Sequence, residues 1–376
     1  MKNNPHKKNI PNGWGFKKMS DVLDYERPDK YIVKSTSYSD KAKTPVLTAN
    51  KSFILGYTDE DFGIYKNTPA IIFDDFTTDS KFIDFPFKIK SSAIKILKAK
   101  NKDADLRFVY EKMKSINFPT GSHKRFYISQ YQNMKVLMPP FPEQQKIAGI
   151  LGAMDESIAK TQEVIESTEK LKRGLMQSVL SFKNKEDVKY LAFGDIGKVS
   201  MCKRIFKKET SETGDIPFYK IGTFGKEPDS FIPQEIFDNY RNKFPFPKTG
   251  DILLSASGTI GRKVKYDGRP AYFQDSNIIW LKHDESMILN NFLFHLYDTI
   301  KWQTEGSTIK RLYNDIFLKK IIPVPSISRQ KQVVEILSAV DEKISVNKKL
   351  KAKLTTLKKG LMQDLLSGKV RVKIWK

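Results

Sequence analysis

The chain has 376 residues, a formal net charge of +23 and 39% hydrophobic residues, among them 25 Phe, 15 Tyr and 4 Trp. That much apolar surface supplies buried cores and excludes a disordered chain, while the cationic excess points to a polyanionic partner, because each neutralised phosphate releases counterions. Cys202 stands alone, which excludes an internal disulfide and a Cys-rich metal site, and His6, His123, His283 and His295 are too far apart for ligand spacing.

Residues 1–20 are polar and lack a signal-peptide core, and no apolar run reaches the length of a membrane span. The cytoplasm is the expected location. Residues 1–141 read as a mixed α/β domain, with strands expected at Pro45–Thr48, Ile71–Phe73 and Ile94–Leu97 and a helix at Ala104–Met113. Three of its polar runs have the chemistry to meet DNA: Thr77, Thr78 and Lys81; Lys88, Lys90, Ser91 and Ser92; and Lys124 with Arg125. Hydroxyls bond phosphate or base edges, and lysines track the backbone. Asp79-Ser80-Lys81 has the D-x-K shape that metal nucleases use with an upstream acid such as Asp75, but the pattern is short and common.

Residues 142–185 read as one long helix. Ile147, Leu151, Met154, Ile158, Thr161, Ile165, Thr168, Lys172, Leu175 and Val179 follow alternating steps of four and three, the spacing of a coiled-coil seam. Pro139, Pro140 and Pro142 precede it, where proline is tolerated. Gly174 weakens the helix near its end, through fraying or a close helix crossing.

Residues 186–325 form a second mixed α/β domain, with strands expected at Ile252–Leu254 and Ile278–Leu281 and a helix at Asn290–Trp302. The loop Ser255-Ala256-Ser257-Gly258-Thr259-Ile260-Gly261-Arg262-Lys263 follows a strand. Its glycines permit close backbone approach, its hydroxyls suit phosphate or base edges, and Arg262 can fork onto a guanine. Gln274, Asp275, Ser276 and Asn277 add groups that suit adenine and cytosine edges, and Lys310-Arg311 echoes Lys124-Arg125. Of these, Ser255, Ser257, Gly258, Thr259, Arg262, Lys263, Gln274, Ser276, Asn277, Lys310 and Arg311 join the candidate DNA-binding set.

Residues 326–376 carry a second long helix and a tail. Its seam runs Val333, Leu337, Val340, Ile344, Asn347, Lys351, Leu354, Lys358, Leu361 and Leu365, with Leu350, Leu354, Leu357 and Leu361 as an overlapping stripe. Residues 329–367 align without a gap on 143–181: Gln330 falls on Gln144, Asp341-Glu342 on Asp155-Glu156, and Gly360-Leu361-Met362-Gln363 on Gly174-Leu175-Met176-Gln177. Upstream, Gly306–Tyr313 resembles Gly121–Tyr127. The chain is therefore a duplicated module with pseudo-twofold symmetry. Helices of ~39 residues would be ~58 Å long. The simplest arrangement pairs them as an antiparallel coiled coil that separates the two domains. The equivalent seam residues Thr161 and Asn347 either fix its register or reach solvent.

Pro140-Phe141-Pro142-Glu143-Gln144-Gln145-Lys146-Ile147 and Leu171-Lys172-Arg173-Gly174-Leu175-Met176-Gln177 resemble the start and end of the central conserved helix in type I restriction specificity subunits. Gly250–Leu254, Gly258–Arg262 and Gln274–Asn277 resemble the family's target-recognition domains, as do Pro45–Ala49 and Phe73–Phe76. The distal copy departs at Ser328-Arg329-Gln330-Lys331-Gln332, which lacks the glutamate. The resemblance implies a non-catalytic, sequence-specific DNA-binding subunit. Each domain would read half of a bipartite asymmetric site, with the helices setting the unread spacer. Two methyltransferase subunits would dock on the helices, bringing S-adenosylmethionine and the adenine-methylating site, and motor–nuclease subunits would join for restriction. No cofactor or metal is expected on this chain itself.

Other classes fit less well. Met138-Pro139-Pro140-Phe141 has the outline of an adenine-methyltransferase motif, but methionine cannot accept the amino-group hydrogen bond. Gly258–Lys263 has the wrong spacing for a P-loop. A scaffold of two globular domains on a coiled coil, binding protein or RNA, is the rival from another class.

Overall fold

The computed structural model describes residues 10–49, 52–118, 124–182, 188–302 and 311–374. The chain packs as two compact units, Met1–Glu163 with Lys348–Lys376, and Val164–Asn347.

Among the described residues the first unit contains nine strands: β1 Gly15–Lys18, β2 Leu23–Glu26, β3 Thr44–Leu47, β4 Ile54–Thr58, β5 Ala70–Asp74, β6 Ser80–Ile83, β7 Lys88–Ile89, β8 Ile94–Ala99 and β9 Lys135–Met138. They form sheets in the orders β1-β9, β2-β8-β5-β6 and β4-β3-β7. Pairing is antiparallel except for β3 with β7. Apolar residues fill both faces of β5 and the start of β8, so these strands sit between two cores. Phe73 and Leu97 face one with Phe108 and Tyr127, while Ile72 and Ile96 face the other with Tyr65 and Phe87. The helix Leu106–Lys114 starts where Asp105 accepts a hydrogen bond from the Phe108 amide, a side-chain cap.

The second unit repeats this plan with β10 Lys189–Ala192, β11 Lys198–Ser200, β12 Ile216–Tyr219, β13 Phe231–Ile232, β14 Ile252–Ser255, β15 Lys263–Lys265, β16 Tyr272–Phe273, β17 Ile278–Lys282 and β18 Ile321–Val324. Its sheets run β10-β18, β11-β17-β14-β15 and β13-β12-β16, and its parallel pair is β12 with β16. Element for element this is the order of the first unit. The expected helix over Asn290–Trp302 stops at Leu296 and passes into a 3-10 turn, Tyr297–Thr299.

A central helix runs Phe141–Val179 and a distal helix Ile327–Ser367. Every residue assigned above to the two seams is buried or half-buried. Within the first unit, Asp155 meets Lys358 at 2.6 Å and Gln162 meets Lys351 at 2.7 Å. Numbering rises along one helix as it falls along the other, so the pair is antiparallel. Within the second unit the central helix's Lys172 meets the distal helix's Asp341 at 2.7 Å. The two helices lie side by side in each unit, as the seams require.

Packing joins one helix start and the other helix end to each domain. Ile147 and Leu151 share a core with Leu365 and Leu366 in the first unit. Val333 and Leu337 share one with Leu180 in the second, next to Leu175 and Val179. Burying each such side chain contributes about 1.5–3 kcal/mol.

Three features of the helices refine what their spacing left open. Thr161 is buried but donates to the Ser157 carbonyl, and Asn347 donates to the Lys343 carbonyl, so each is satisfied on its own helix. A Cβ on Gly174 or Gly360 would meet nothing within 4 Å, so neither glycine marks a close crossing. Leu350 and Leu357, in the overlapping stripe, are exposed.

Candidate nucleic-acid interface

In both units three segments converge on the end of one buried strand. In the first unit, the Asp75 amide after β5 donates to the Ala93 carbonyl, and the Phe126 amide donates to the Asp75 carbonyl. In the second, Ala256 after β14 donates to the Asn277 carbonyl and accepts from the Leu312 amide. The same bonds thus hold Thr77–Thr78, Lys90–Ser92 and Arg125 together in one unit, and Gly258–Thr259, Gln274–Asn277 and Arg311 together in the other. Lys90 and Gln274 are bound alike, their amides donating to the Leu47 and Tyr219 carbonyls.

In the first unit, the Asp74 carboxylate accepts from the Phe76 and Thr77 amides and shapes the turn. Thr78 lies in the left-handed region at φ 61. Thr77, Ser91, Ser92, Lys124 and Arg125 are exposed, and Thr78, Lys81 and Lys90 are half-buried. The Arg125 guanidinium stands 5.8 Å from the exposed Phe76 ring.

Lys88 is different. It is fully buried, 2.8 Å from Glu60, donating to the Phe62 carbonyl and lying over the Phe62 ring. Burial opposes ionisation of Glu60, but Lys88 and the Ser35 and Lys34 amides outweigh it and hold its pKa low. Lys88 is a structural ion pair and leaves the candidate set.

In the second unit the loop after β14 divides between interior and surface. Ser255 is buried, donating to the Thr259 carbonyl and accepting from the Arg262 amide. Ser257 is buried and donates to the Asn277 side chain at 2.7 Å. Lys263 pairs with Asp298 at 2.7 Å, donates to the Phe294 carbonyl and lies over the Phe294 ring. Burial pushes its pKa down against the pull of Asp298. These three brace the loop and leave the candidate set as direct contacts. Arg262 is half-buried and donates to the Phe224 carbonyl at 2.9 Å. Gly261 is required internally: at φ +86, a Cβ there would come within 2.7 Å of the Trp302 indole.

Gly258, Thr259, Ser276 and Arg311 are exposed. Gln274 is anchored by the Ile221 amide at 2.8 Å. Lys310 lies outside the described residues. Gln274–Asn277 and Arg311 line a groove of about 1120 Å³ with Arg204, Lys207 and Lys220. Sequence reasoning missed those three cations. The available signal was Lys203-Arg204 and Lys207-Lys208 flanking Phe206, which the structure leaves exposed.

Comparison with known proteins agrees with this duplicated arrangement. The family model described as "Type I restriction modification DNA specificity domain" matches residues 11–170 and again 185–356. The chain belongs to the type I restriction–modification DNA specificity family.

Among its relatives, a putative type I restriction enzyme specificity subunit from Haemophilus influenzae is 41% identical over 61% of this chain and 63% of its own length. The Escherichia coli EcoR124I/EcoR124II specificity subunit is 32% identical over 86% of this chain and 85% of its own. The fold is similar to the crystal structure of the type I system S subunit from M. genitalium, with a TM-score of 0.71, 18% identity and coverage of 100% of this chain and 99% of that one.

In this specificity chain the motif at each helix start is a structural pin. Gln144 is buried, donating to the Asp103 and Pro139 carbonyls and accepting from the Asp105 amide. Gln330 repeats this with the Met287 and Pro325 carbonyls and the Leu289 amide. The missing glutamate of the distal copy has a local cause. Glu143 is buried, accepts from the Trp14 indole and binds Arg371 of the C-terminal tail through both oxygens. Arg329, at the equivalent position, instead donates to Gln332. Asp75, the upstream acid of the D-x-K pattern set aside above, accepts from the Tyr127 amide and pairs with Lys95. No cluster of three metal-ligating residues occurs among the described residues. No helix there is long and apolar enough to cross a membrane.

Proposed function

We propose that this chain is the sequence-reading, non-catalytic subunit of a type I restriction–modification complex. Each unit reads one half of a bipartite, asymmetric DNA site, and partner subunits methylate adenine and restrict. The observation that carries this reading is a shared frame with different contents. Matching backbone bonds at both ends present Lys90-Ser91-Ser92-Ala93 in one unit and Gln274-Asp275-Ser276-Asn277 in the other. Equal frames suit two half-sites, and unequal side chains suit different sequences.

The helices support partner docking. Val164 and Leu171 on the central helix occupy the same repeat positions as Leu350 and Leu357 on the distal helix, and all four are exposed. Seven-residue spacing makes each pair a short apolar stripe. Two equivalent stripes fit two copies of one methyltransferase subunit. That subunit holds S-adenosylmethionine, and motor–nuclease subunits complete the restriction complex.

The test is methylation mapping by long-read sequencing in cells expressing this chain with the methyltransferase subunit of its own locus. A bipartite adenine-methylated motif that depends on this chain is expected. Exchanging residues 186–325 for those of another family member is expected to change one half only. Adding one heptad to both helices, about 10 Å, is expected to lengthen the spacer by about three base pairs. Absence of any motif dependent on this chain would refute the reading.

A further inference from the structure

We infer that Asp275 imposes a cytosine at one position of the half-site read by the second unit. This deepens the DNA-reading proposal and rests on it.

A carboxylate is out of place on a surface built for phosphates. Arg204, Lys207, Lys220 and Arg311 give the groove four cations, and Glu212 and Asp229 also line it. Asp229 is largely exposed and paired with Lys220. Asp275 is held otherwise. Its side chain is only 16% exposed and its backbone is fixed on both sides. The Gln274 amide donates to Tyr219, and the Gln274 side chain accepts from the Ile221 amide. Ser276 lies at φ 60, and the Asn277 amide reaches back to the Asp275 carbonyl at 2.6 Å, a tight turn that a serine rarely adopts.

The turn presents one carboxylate oxygen already engaged and one open. Oδ2 accepts from Arg204 Nε at 2.9 Å and from the Ser276 hydroxyl at 3.3 Å. Oδ1 has no hydrogen-bond partner among the described residues. Arg204 is 61% exposed, and an ion pair at such a site is weak, so its guanidinium can leave for a phosphate at little cost.

An acceptor oxygen facing DNA repels phosphates and requires a donor. In the major groove guanine presents two acceptors and thymine presents an acceptor and a methyl group. Only the cytosine N4 and adenine N6 amino groups donate. Adenine sets its N7 lone pair beside that amino group, against the second carboxylate oxygen. Cytosine has no such acceptor next to N4, so cytosine is selected. The equivalent position in the first unit is Ser91, a hydroxyl that accepts from the Ala93 amide, so the same demand is absent there.

The experiment uses the full chain in its complex with the methyltransferase subunit, read by methylation mapping. The wild-type chain must first yield a bipartite motif, and its failure to do so sinks the DNA-reading proposal. Given that motif, Asp275→Asn is expected to lower the preference for cytosine at one position of the second half-site about ten- to a hundredfold and to favour adenine there, because an amide pairs with adenine N6 and N7. The first half-site stays as it was. Arg204→Ala is expected to weaken binding on all sequences alike and to reduce the salt slope by about one. The reciprocal Ser91→Asp, at an exposed position, is expected to create a cytosine requirement in the first half-site, and it decides the matter if Asp275→Asn fails to assemble. Unchanged base preference in an assembled Asp275→Asn complex, or in Ser91→Asp, overturns the inference.

Discussion

Lys358 on the distal helix places its ammonium 2.6 Å from the Asp155 carboxylate on the central helix. One repeat away the roles reverse, with Lys172 of the central helix 2.7 Å from Asp341 of the distal helix. The environments differ. Lys358 also lies 3.2 Å from Glu111, which is fully buried, whereas Lys172 and Asp341 are 20% and 32% exposed. With Lys358 gone, Glu111 keeps Lys114 at 3.4 Å and Arg107 at 3.7 Å, and Asp155 keeps Arg107 at 3.0 Å. The loss so stays below the cost of a fully stranded buried charge, about 3–5 kcal/mol, while the half-buried Lys172–Asp341 pair is worth about 1 kcal/mol. Lys358→Met, which removes a charge from a fully buried carboxylate, is therefore expected to cost more stability than Lys172→Met in urea unfolding. Equal costs would show that Lys114 and Arg107 compensate Glu111 without Lys358.

His295 gives the second unit an acid limit. Its ring is buried, with Nδ1 3.8 Å from Asp341 and Nε2 3.5 Å from the Ser338 hydroxyl. Burial lowers its pKa to about 4; Asp341 and Asp298 oppose this, while Lys263 and Lys172 reinforce it. An unfolded histidine titrates near 6.5, so between about 6.5 and 4 the unfolded chain binds a proton that the folded chain refuses. Stability is expected to fall as pH drops through that window, by an amount on the order of 2 kcal/mol at pH 5. His295→Gln should flatten this part of the profile. A variant that loses stability in parallel with the wild-type chain would assign the acid limit to other groups.

The rods and the repeat were legible because helical periodicity is local. Each seam residue could be counted from its neighbours, and each proved buried or half-buried. Strands such as β5, β8, β14 and β17 were legible as apolar runs. The sheets β1-β9 and β10-β18 were not, because their partners are more than a hundred residues apart and each strand is short. The candidate site was half legible. Thr77, Ser91, Ser92, Arg125, Thr259, Ser276 and Arg311 reached the surface because turns expose polar groups. Lys88 and Lys263 did not, since the acids that bury them, Glu60 and Asp298, lie far along the chain. Nothing local distinguishes such a lysine from one that tracks phosphate.

The tail clasp should be selective. Arg371 bonds both oxygens of the buried Glu143 and the Asn12 carbonyl, which leaves the Trp14 indole as the other donor to that carboxylate. Arg371→Ala is expected to cost about 2–4 kcal/mol in the first unit, because a buried charge loses its counterion. Hydrogen exchange should quicken at residues 11–14 and at the start of the central helix, and stay unchanged across the second unit. Equal acceleration in both units would mean that the tail supports the whole chain.

The exposed stripes make a counting prediction. Leu171 and Leu357 are 55% and 54% exposed at equivalent repeat positions, and neither contributes to a core of its own unit. Replacing one with aspartate removes no buried contact, so the subunit alone should melt as before. At a docked interface the same change buries an unpaired charge and should weaken docking of one partner by at least tenfold. Leu171→Asp and Leu357→Asp are each expected to leave complexes with a single methyltransferase subunit by native mass spectrometry, and the double variant to leave none. The single variants should also mirror each other, since one stripe is the repeat of the other. Two methyltransferase subunits retained by the double variant would place docking elsewhere on the chain.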